Sequence, residues 1–117
     1  MKYILLIQHG TAPTPPSEEW DRLPDEEKRA IAEAYQAING VEGVTPGLHM
    51  QPPETATTVR VEDGRTLTTD GPFVETKEAL GGFLVLEADD IDAAIELASR
   101  IPAARLGGAI EVRPLVE

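Results

Sequence analysis

Two segments of this chain are apolar on both faces of an extended strand, and this pattern limits the folds that the chain can adopt. Residues 1–8 are apolar almost without interruption from Tyr3 to Ile7, and the aromatic and aliphatic run in residues 81–87 has no polar face. A strand of this kind needs cover on both sides. Because an amphipathic helix pattern follows each segment, we expect two strand–helix units that share one sheet.

The two helix patterns have clear ends. Residues 24–39 include three acidic residues near their start, which favour the positive end of a helix, and stop at Asn39-Gly40. The second helix is capped by Asp89 or Asp90 and ended by Pro102. The predicted apolar faces are Ile31, Ala34, Tyr35 and Ile38 on the first helix, and Ile91, Ala94, Ile95, Ala98 and Ile101 on the second.

The remaining segments predict further strands. Residues 55–62 and 65–69 are joined by Asp63-Gly64, a strong two-residue hairpin signal, and residues 109–116 alternate as a half-buried last strand. Residues 41–53 are ambiguous, and Leu48-His49-Met50 is one candidate strand within them. The order of elements indicates an α+β fold, a βαββαβ unit with an added hairpin.

Composition excludes several classes of protein. The 117 residues fit one domain, residues 1–117, and the absence of cysteine excludes disulfides and thiolate sites. The formal net charge is −11 and no basic cluster is present, so we expect no nucleic-acid partner. The apolar N-terminus is too short for a signal peptide or a membrane span, so we expect a cytoplasmic protein with no membrane partner.

The predicted sheet has one face without helices. Strands that are apolar on both sides would expose apolar surface there, and such a surface marks an interface. Packing of the sheet against the sheet of a second copy would cover it. The sequence therefore predicts a homodimer.

Several motifs in the second half of the chain occur together in one family. They are residues 51–60, Asp63-Gly64, residues 69–78 with the tetrad Asp70-Gly71-Pro72-Phe73, Gly81-Gly82-Phe83, and residues 110–114. In this combination the chain resembles the YCII-related family, in the branch named for the Asp-Gly-Pro-Phe (DGPF) tetrad. The resemblance runs from about Gly47 to the C-terminus and includes the first strand.

The resemblance implies a ferredoxin-like domain that dimerises into an α+β barrel. It also implies a suspected enzymatic role that depends on a histidine and an aspartate, and for some members a role as accessory partners of transcription initiation factors. The family histidine is expected on the first helix, but residues 24–39 contain none. The histidine–aspartate pair therefore does not transfer residue by residue, since this chain has only His9 and His49.

Asp70, His9 and His49 are the candidate catalytic residues. Asp70 opens the tetrad, where its carboxylate acts either as a general base or ligand anchor at a cleft, or as a turn-building side chain bonded to its own backbone. His9 follows the first strand and His49 lies near the second. Histidine titrates near neutrality, so either one could pair with Asp70, although a lone histidine is more often structural.

The candidate ligand-binding residues are Phe73, Glu75, Lys77, Glu78 and Arg60. Phe73 is either the apolar wall of a cleft or part of the core. The three charged residues that follow it form either a solvated ion pair or a clamp for a polar or anionic ligand. Arg60 binds a carboxylate or pairs across the sheet.

The sequence predicts no metal site and no cofactor. The two histidines lack the spacing of metal ligands, and no phosphate-binding loop follows the first strand. Gly81-Gly82 is interpreted as close packing or a bulge. Two functions stay open: a barrel that binds a small polar or aromatic molecule, with or without acid–base catalysis such as isomerisation or hydration, and a non-catalytic regulatory or interaction module.

Overall fold

A computed structural model of the chain describes residues 1–15, 17–71 and 80–117. Within these ranges the strands and helices are β1 (Lys2–Gln8), α1 (Glu18–Asp21), α2 (Asp25–Asn39), β2 (Val44–His49), β3 (Thr57–Glu62), β4 (Arg65–Asp70), β5 (Leu80–Glu87), α3 (Ile91–Ser99) and β6 (Ala109–Pro114). No helix in these ranges is both long enough and apolar enough to span a membrane.

The described strands form a four-stranded sheet and a separate hairpin. In the larger sheet the order is β2-β5-β1-β6, and each pair of neighbours is antiparallel. Without the β3–β4 hairpin, the chain order β1-α2-β2-β5-α3-β6 and this strand order are those of a ferredoxin-like βαββαβ unit. The predicted fold class is therefore confirmed, including the added hairpin.

The core lies between one face of this sheet and the helices α2 and α3. Alternate residues of β1, Tyr3, Leu5 and Ile7, are buried on that face, and Leu84 and Leu86 of β5 pair beside the first two. The helices contribute Ile38, Ala94, Leu97 and Ala98. These apolar groups are removed from water together, which is the main stabilising contribution to such a fold.

The opposite face of the sheet carries no helix and has an apolar centre. Ile4 pairs with Val85 and Leu6 pairs with Phe83, and all four side chains are half-buried. Charged residues of β6 flank this centre, where Arg113 donates a 2.6 Å hydrogen bond to Glu111. The predicted bare apolar face is therefore present in the single chain, and we call it the open face.

The β3–β4 hairpin extends from the sheet and has few buried side chains. Its turn residues Asp63 and Gly64 have φ of 50° and 76°, as a type I′ turn requires. Its apolar residues Val59, Val61 and Leu67 are 60%, 67% and 44% exposed. The hairpin is thus held by its own ladder and presents apolar side chains to solvent.

The predicted buried positions of α3 were wrong at two residues. Ile91 and Ile95 are 41% and 53% exposed, whereas Leu97 is buried. The face that meets the sheet runs through Ala94, Leu97 and Ala98 to Ile101, and it is rotated away from the isoleucines. The isoleucines and the buried residues are each placed at helical spacing, so the sequence pattern alone did not select which face is buried.

Candidate functional site

His9 leaves the end of β1 beside a bulge in β5. The pairing of β1 with β5 shifts between Ile7 and Gln8, which face Gly82 and Leu80, so that Gly81 is the extra residue of the bulge. A β-carbon on Gly81 would overlap Cδ2 of the His9 ring. The bulge and the missing side chain together make room for the imidazole. Gly81-Gly82 was interpreted from the sequence as close packing or a bulge, and Gly81 shows both.

The backbone around His9 is tied to the loop before β6. The Thr11 amide donates to the Gly107 carbonyl at 3.2 Å, and the Ala12 amide donates to the His9 carbonyl at 2.8 Å. A β-carbon on Gly108 would overlap the Gln8 carbonyl oxygen, so this approach also requires glycine. These contacts fix the direction in which the His9 side chain leaves the sheet.

His49 reaches the same place from the last residue of β2. It pairs with Gly82, and the next amide, of Met50, donates to the Gly81 carbonyl at 2.8 Å. The His9 and His49 rings lie edge to face, with centroids 5.5 Å apart and an interplanar angle of 71°. The two histidines of the chain therefore form a pair, which we call the histidine pair.

The surroundings of His9 favour its neutral form. Burial lowers the pKa of His9, and the nearby His49 lowers it further. Nδ1 is buried, and no described residue offers it a hydrogen bond. Because Nδ1 is buried and has no described partner, contact with a ligand falls to Nε2 of the ring, which is neutral at rest.

A largely apolar cavity of about 370 Å³ is lined in part by the histidine pair. Trp20, Ile31, Tyr35, Leu84 and Leu106 are among its described walls. Burial raises the pKa of Tyr35, against an opposing effect of the Ala103 backbone, so its hydroxyl stays protonated and available as a donor. We call this space the apolar cavity; its volume lies in the range of small-molecule sites.

A second cavity, of about 380 Å³, is also lined by the histidine pair. Its described walls include Ser17, Gln51 and Glu54, together with prolines and glycines of the two adjoining loops. We call it the polar cavity. His9 and His49 line both cavities, so the histidine pair is part of the wall that they share.

Among the described residues, Asp70 does not lie with the two histidines at the walls of either cavity. Asp70 ends β4, is exposed, and is absent from the described walls of both cavities. No hydrogen bond or ion pair of its carboxylate occurs within residues 1–15, 17–71 and 80–117. The base of the hairpin is closed instead by the backbone of Gly71, whose amide donates to Ala56 and whose carbonyl accepts from Thr58.

The other predicted ligand-binding residues are not brought together by the described structure. Arg60 is exposed on β3, pairs across the hairpin with Leu67, and interacts with other groups of the chain. Phe73, Glu75, Lys77 and Glu78 lie outside the described residues. In the part of the chain that is described, no group of three histidine, aspartate or glutamate side chains is arranged to hold a metal ion.

Sequence reasoning missed the aromatic wall of the apolar cavity. Ile31 and Tyr35 were placed on the apolar face of α2, where they are half-buried and line the cavity. Trp20 follows the proline-rich loop on the short helix α1, whose N-cap Ser17 accepts a hydrogen bond from the Trp20 amide at 3.1 Å. The one sequence signal for Trp20 as a wall residue was that the single tryptophan of the chain follows a proline-rich loop.

Comparison with known proteins gives the family of this chain and similar proteins, among them a sequence relative and a solved structure. The family model of the YCII-related domain matches residues 1–117. An uncharacterized protein of Rhizobium meliloti (strain 1021) is 35% identical over 117 residues, which cover 98% of this chain and 92% of that protein. A solved structure of 5-chloro-2-hydroxyhydroquinone dehydrochlorinase from Burkholderia phenoliruptrix AC1100, in complex with 2,5-dihydroxybenzoquinone, aligns over 100% of this chain and 95% of that chain, at 15% identity and a TM-score of 0.46.

Proposed function

This chain belongs to the YCII-related family, and we propose that it binds a small ring-bearing molecule in the apolar cavity, with His9 as its acid–base group. The main support is the position of the histidine pair. Together with Thr14, Asn39 and the Tyr35 hydroxyl, the pair supplies the polar groups of a wall that otherwise consists largely of aromatic and aliphatic side chains. Such a combination is typical of sites that bind an apolar ligand and orient it through a few polar groups.

The proposed chemistry is proton transfer without a cofactor. A neutral His9 accepts a proton from an acidic O–H or C–H of the ligand through Nε2, and the same proton returns to another atom of the ligand. The net reaction of such a cycle is an isomerisation. The lowered pKa of His9 keeps the accepting form dominant at neutral pH.

Asp70 has no part in this proposed proton transfer. Its position on the exposed end of β4 supports a role in the hairpin rather than at Nε2 of His9. The sequence-based pairing of Asp70 with a histidine remains a separate prediction. Substitution of each residue in turn distinguishes the two assignments, as set out in the Discussion.

A cavity-blocking variant tests the proposed site. Ala32 is exposed on α2 and lines the apolar cavity, so Ala32→Phe fills the space at little cost in folding. Ala37→Phe, on the exposed side of the same helix, is the matched control. With indole-3-ethanol as a neutral probe, we expect ligand-induced thermal stabilisation in the wild type and in Ala37→Phe but not in Ala32→Phe. Stabilisation that survives Ala32→Phe would place the probe elsewhere.

We also propose that two copies pack through their open faces into a dimeric α+β barrel. The support is the apolar centre of that face, where Ile4, Leu6, Phe83 and Val85 are contiguous through direct cross-strand pairs. Its flanking charges on β6 resemble the polar rim of an interface. A second copy presents the same apolar face, and a two-fold symmetric contact brings the two faces together.

A second candidate function is a non-catalytic interaction module, including the role of an accessory to transcription initiation factors. The observation that favours it is the exposed apolar hairpin, with Val59 and Val61 on one face. Such a surface is typical of a macromolecular contact. Loss of a partner on Val61→Glu, with ligand binding unchanged, would support this function over the first.

A further inference from the structure

The polar cavity adjoins the apolar cavity at the histidine pair, and a larger share of its lining is polar. Both spaces share the wall residues His9, Ala12, Thr14, Pro15 and His49. Each is large enough for one part of a ligand, since an apolar cavity of about 150 Å³ already holds benzene. A molecule that fills both would place its ring in the apolar cavity and a polar end in the polar cavity, with the histidine pair beside their junction.

The one carboxylate among the described walls of the two cavities belongs to Glu54. It lies in a 3₁₀ turn, Pro53–Thr55, that follows Pro52. The Thr55 amide and hydroxyl both donate to the Pro52 carbonyl, at 2.9 and 2.7 Å, so the turn that presents Glu54 is well fixed. Within the described ranges, no side chain forms an ion pair or hydrogen bond with the Glu54 carboxylate.

The described walls of both cavities contain neither lysine nor arginine. The chain as a whole carries a formal net charge of −11, which lowers the local concentration of anions and raises that of cations. The anionic end of a ligand would therefore lie near the Glu54 carboxylate, and no described wall residue carries a positive charge that would offset the repulsion. A cationic end group would find a carboxylate held at the wall of the cavity.

From these observations we infer that the ligand is bipartite: an uncharged ring in the apolar cavity is joined past the histidine pair to a cationic, amine-type end beside Glu54. This inference rests on the proposed function and specifies its ligand class. It assigns Glu54 as a specificity-determining residue that selects the charge of the ligand. His9 then lies beside the atoms that join the two parts.

Three probes with the same ring test the inference. Tryptamine, indole-3-ethanol and indole-3-acetate carry cationic, neutral and anionic side chains, and calorimetry at low salt gives a Kd for each. We expect tryptamine to bind about three- to fivefold more tightly than indole-3-ethanol, the upper range for an exposed ion pair. Indole-3-acetate should bind more weakly than the alcohol, and about 0.3 M NaCl should reduce the differences.

Two charge-neutralising variants complete the test. Glu54→Gln should make tryptamine and indole-3-ethanol bind equally, whereas Glu62→Gln, at the remote end of β3, should preserve the preference. Equal wild-type affinities, a preference for the acetate, or a preference that survives Glu54→Gln would overturn the inference. If indole-3-ethanol binds and Ala32→Phe abolishes that binding, the proposed function stands even when the charge preference is absent. If indole-3-ethanol does not bind, both fail.

Discussion

The imidazole of His9 lies against the α-carbon of Gly81, in space that any other residue at position 81 would occupy with its side chain. The bulge in β5 brings Gly81 to this place, and the pairing of β2 brings His49 beside it. The arrangement of the histidine pair thus depends on the bulge in β5, the strand that lies between β1 and β2 in the sheet.

Gly81→Ala should displace the His9 ring and destabilise the protein by about 1–3 kcal/mol, the usual cost of inserting a methyl group into filled space. Gly40→Ala is the matched control, since its β-carbon would meet only ordinary contacts at 3.6 Å or more and φ is not in the left-handed region. It should change the free energy of unfolding by less than about 0.5 kcal/mol. Urea unfolding measures both, and unchanged His9 ring resonances in Gly81→Ala would contradict the account.

The stability of the protein should depend on pH through His9. Its folded-state pKa is lowered, whereas the unfolded chain titrates near 6.5. Between these two values the unfolded state binds more protons, so the free energy of unfolding should fall as the pH drops below about 6.5 toward the lowered pKa of His9. His9→Gln should remove this component. An NMR titration in which the His9 pKa lies above that of an unstructured histidine would refute the explanation.

His49→Gln should raise the pKa of His9, because it removes one of the two causes of the lowering. The pKa should still lie below the ordinary value, since burial is the larger cause. The same NMR titration, carried out on the variant, measures the change. A His9 pKa that does not move would mean that the two rings do not interact in solution.

Ligand binding should depend on His9 and not on Asp70. His9→Gln should weaken the binding of indole-3-ethanol about three- to tenfold, the effect of one lost hydrogen bond. Asp70→Asn should leave the Kd within about twofold, because the carboxylate is outside the described cavity walls. Calorimetry on both variants decides the assignment. A larger loss in Asp70→Asn would favour the pairing predicted from the sequence.

The homodimer should dissociate when the open face is charged. Leu6→Glu would bury a carboxylate in the apolar centre, so we expect the dimer to weaken by at least about tenfold. Val61→Glu, on the exposed hairpin, is the control and should leave the assembly unchanged. Light scattering at micromolar concentration measures the molar mass. A monomeric wild type would remove the basis of this proposal.

Much of the fold could be predicted because its signals are local. Asp63-Gly64 specified the hairpin, Asp90 was a correct candidate for the cap of α3, and the apolar strands specified the sheet with its open face. The strand order then followed from the βαββαβ pattern. The face of α3 was predicted less well, because Ile91 and Leu97 are equally apolar and only the packed sheet selects between them.

The candidate site was harder to predict because it is not local. His9 and His49 were both singled out, but their pairing depends on β5 lying between β1 and β2, which no spacing in the sequence expresses. Tyr35 was correctly placed on an inward face of α2, yet helical periodicity is the same for a residue that packs in the core and one that lines a cavity. Asp70 was chosen for its motif, and the motif does not determine where its side chain lies.

The most direct test of the ligand site is an NMR titration of the wild type with indole-3-ethanol. Selective labelling of histidine and tryptophan makes the rings of His9 and Trp20, which both line the apolar cavity, visible. We predict that both sets of resonances move and saturate with one Kd, and that Ala32→Phe abolishes the change. Resonances of His9 and Trp20 that stay in place while the protein binds the probe would contradict the assignment of this cavity as the ligand site.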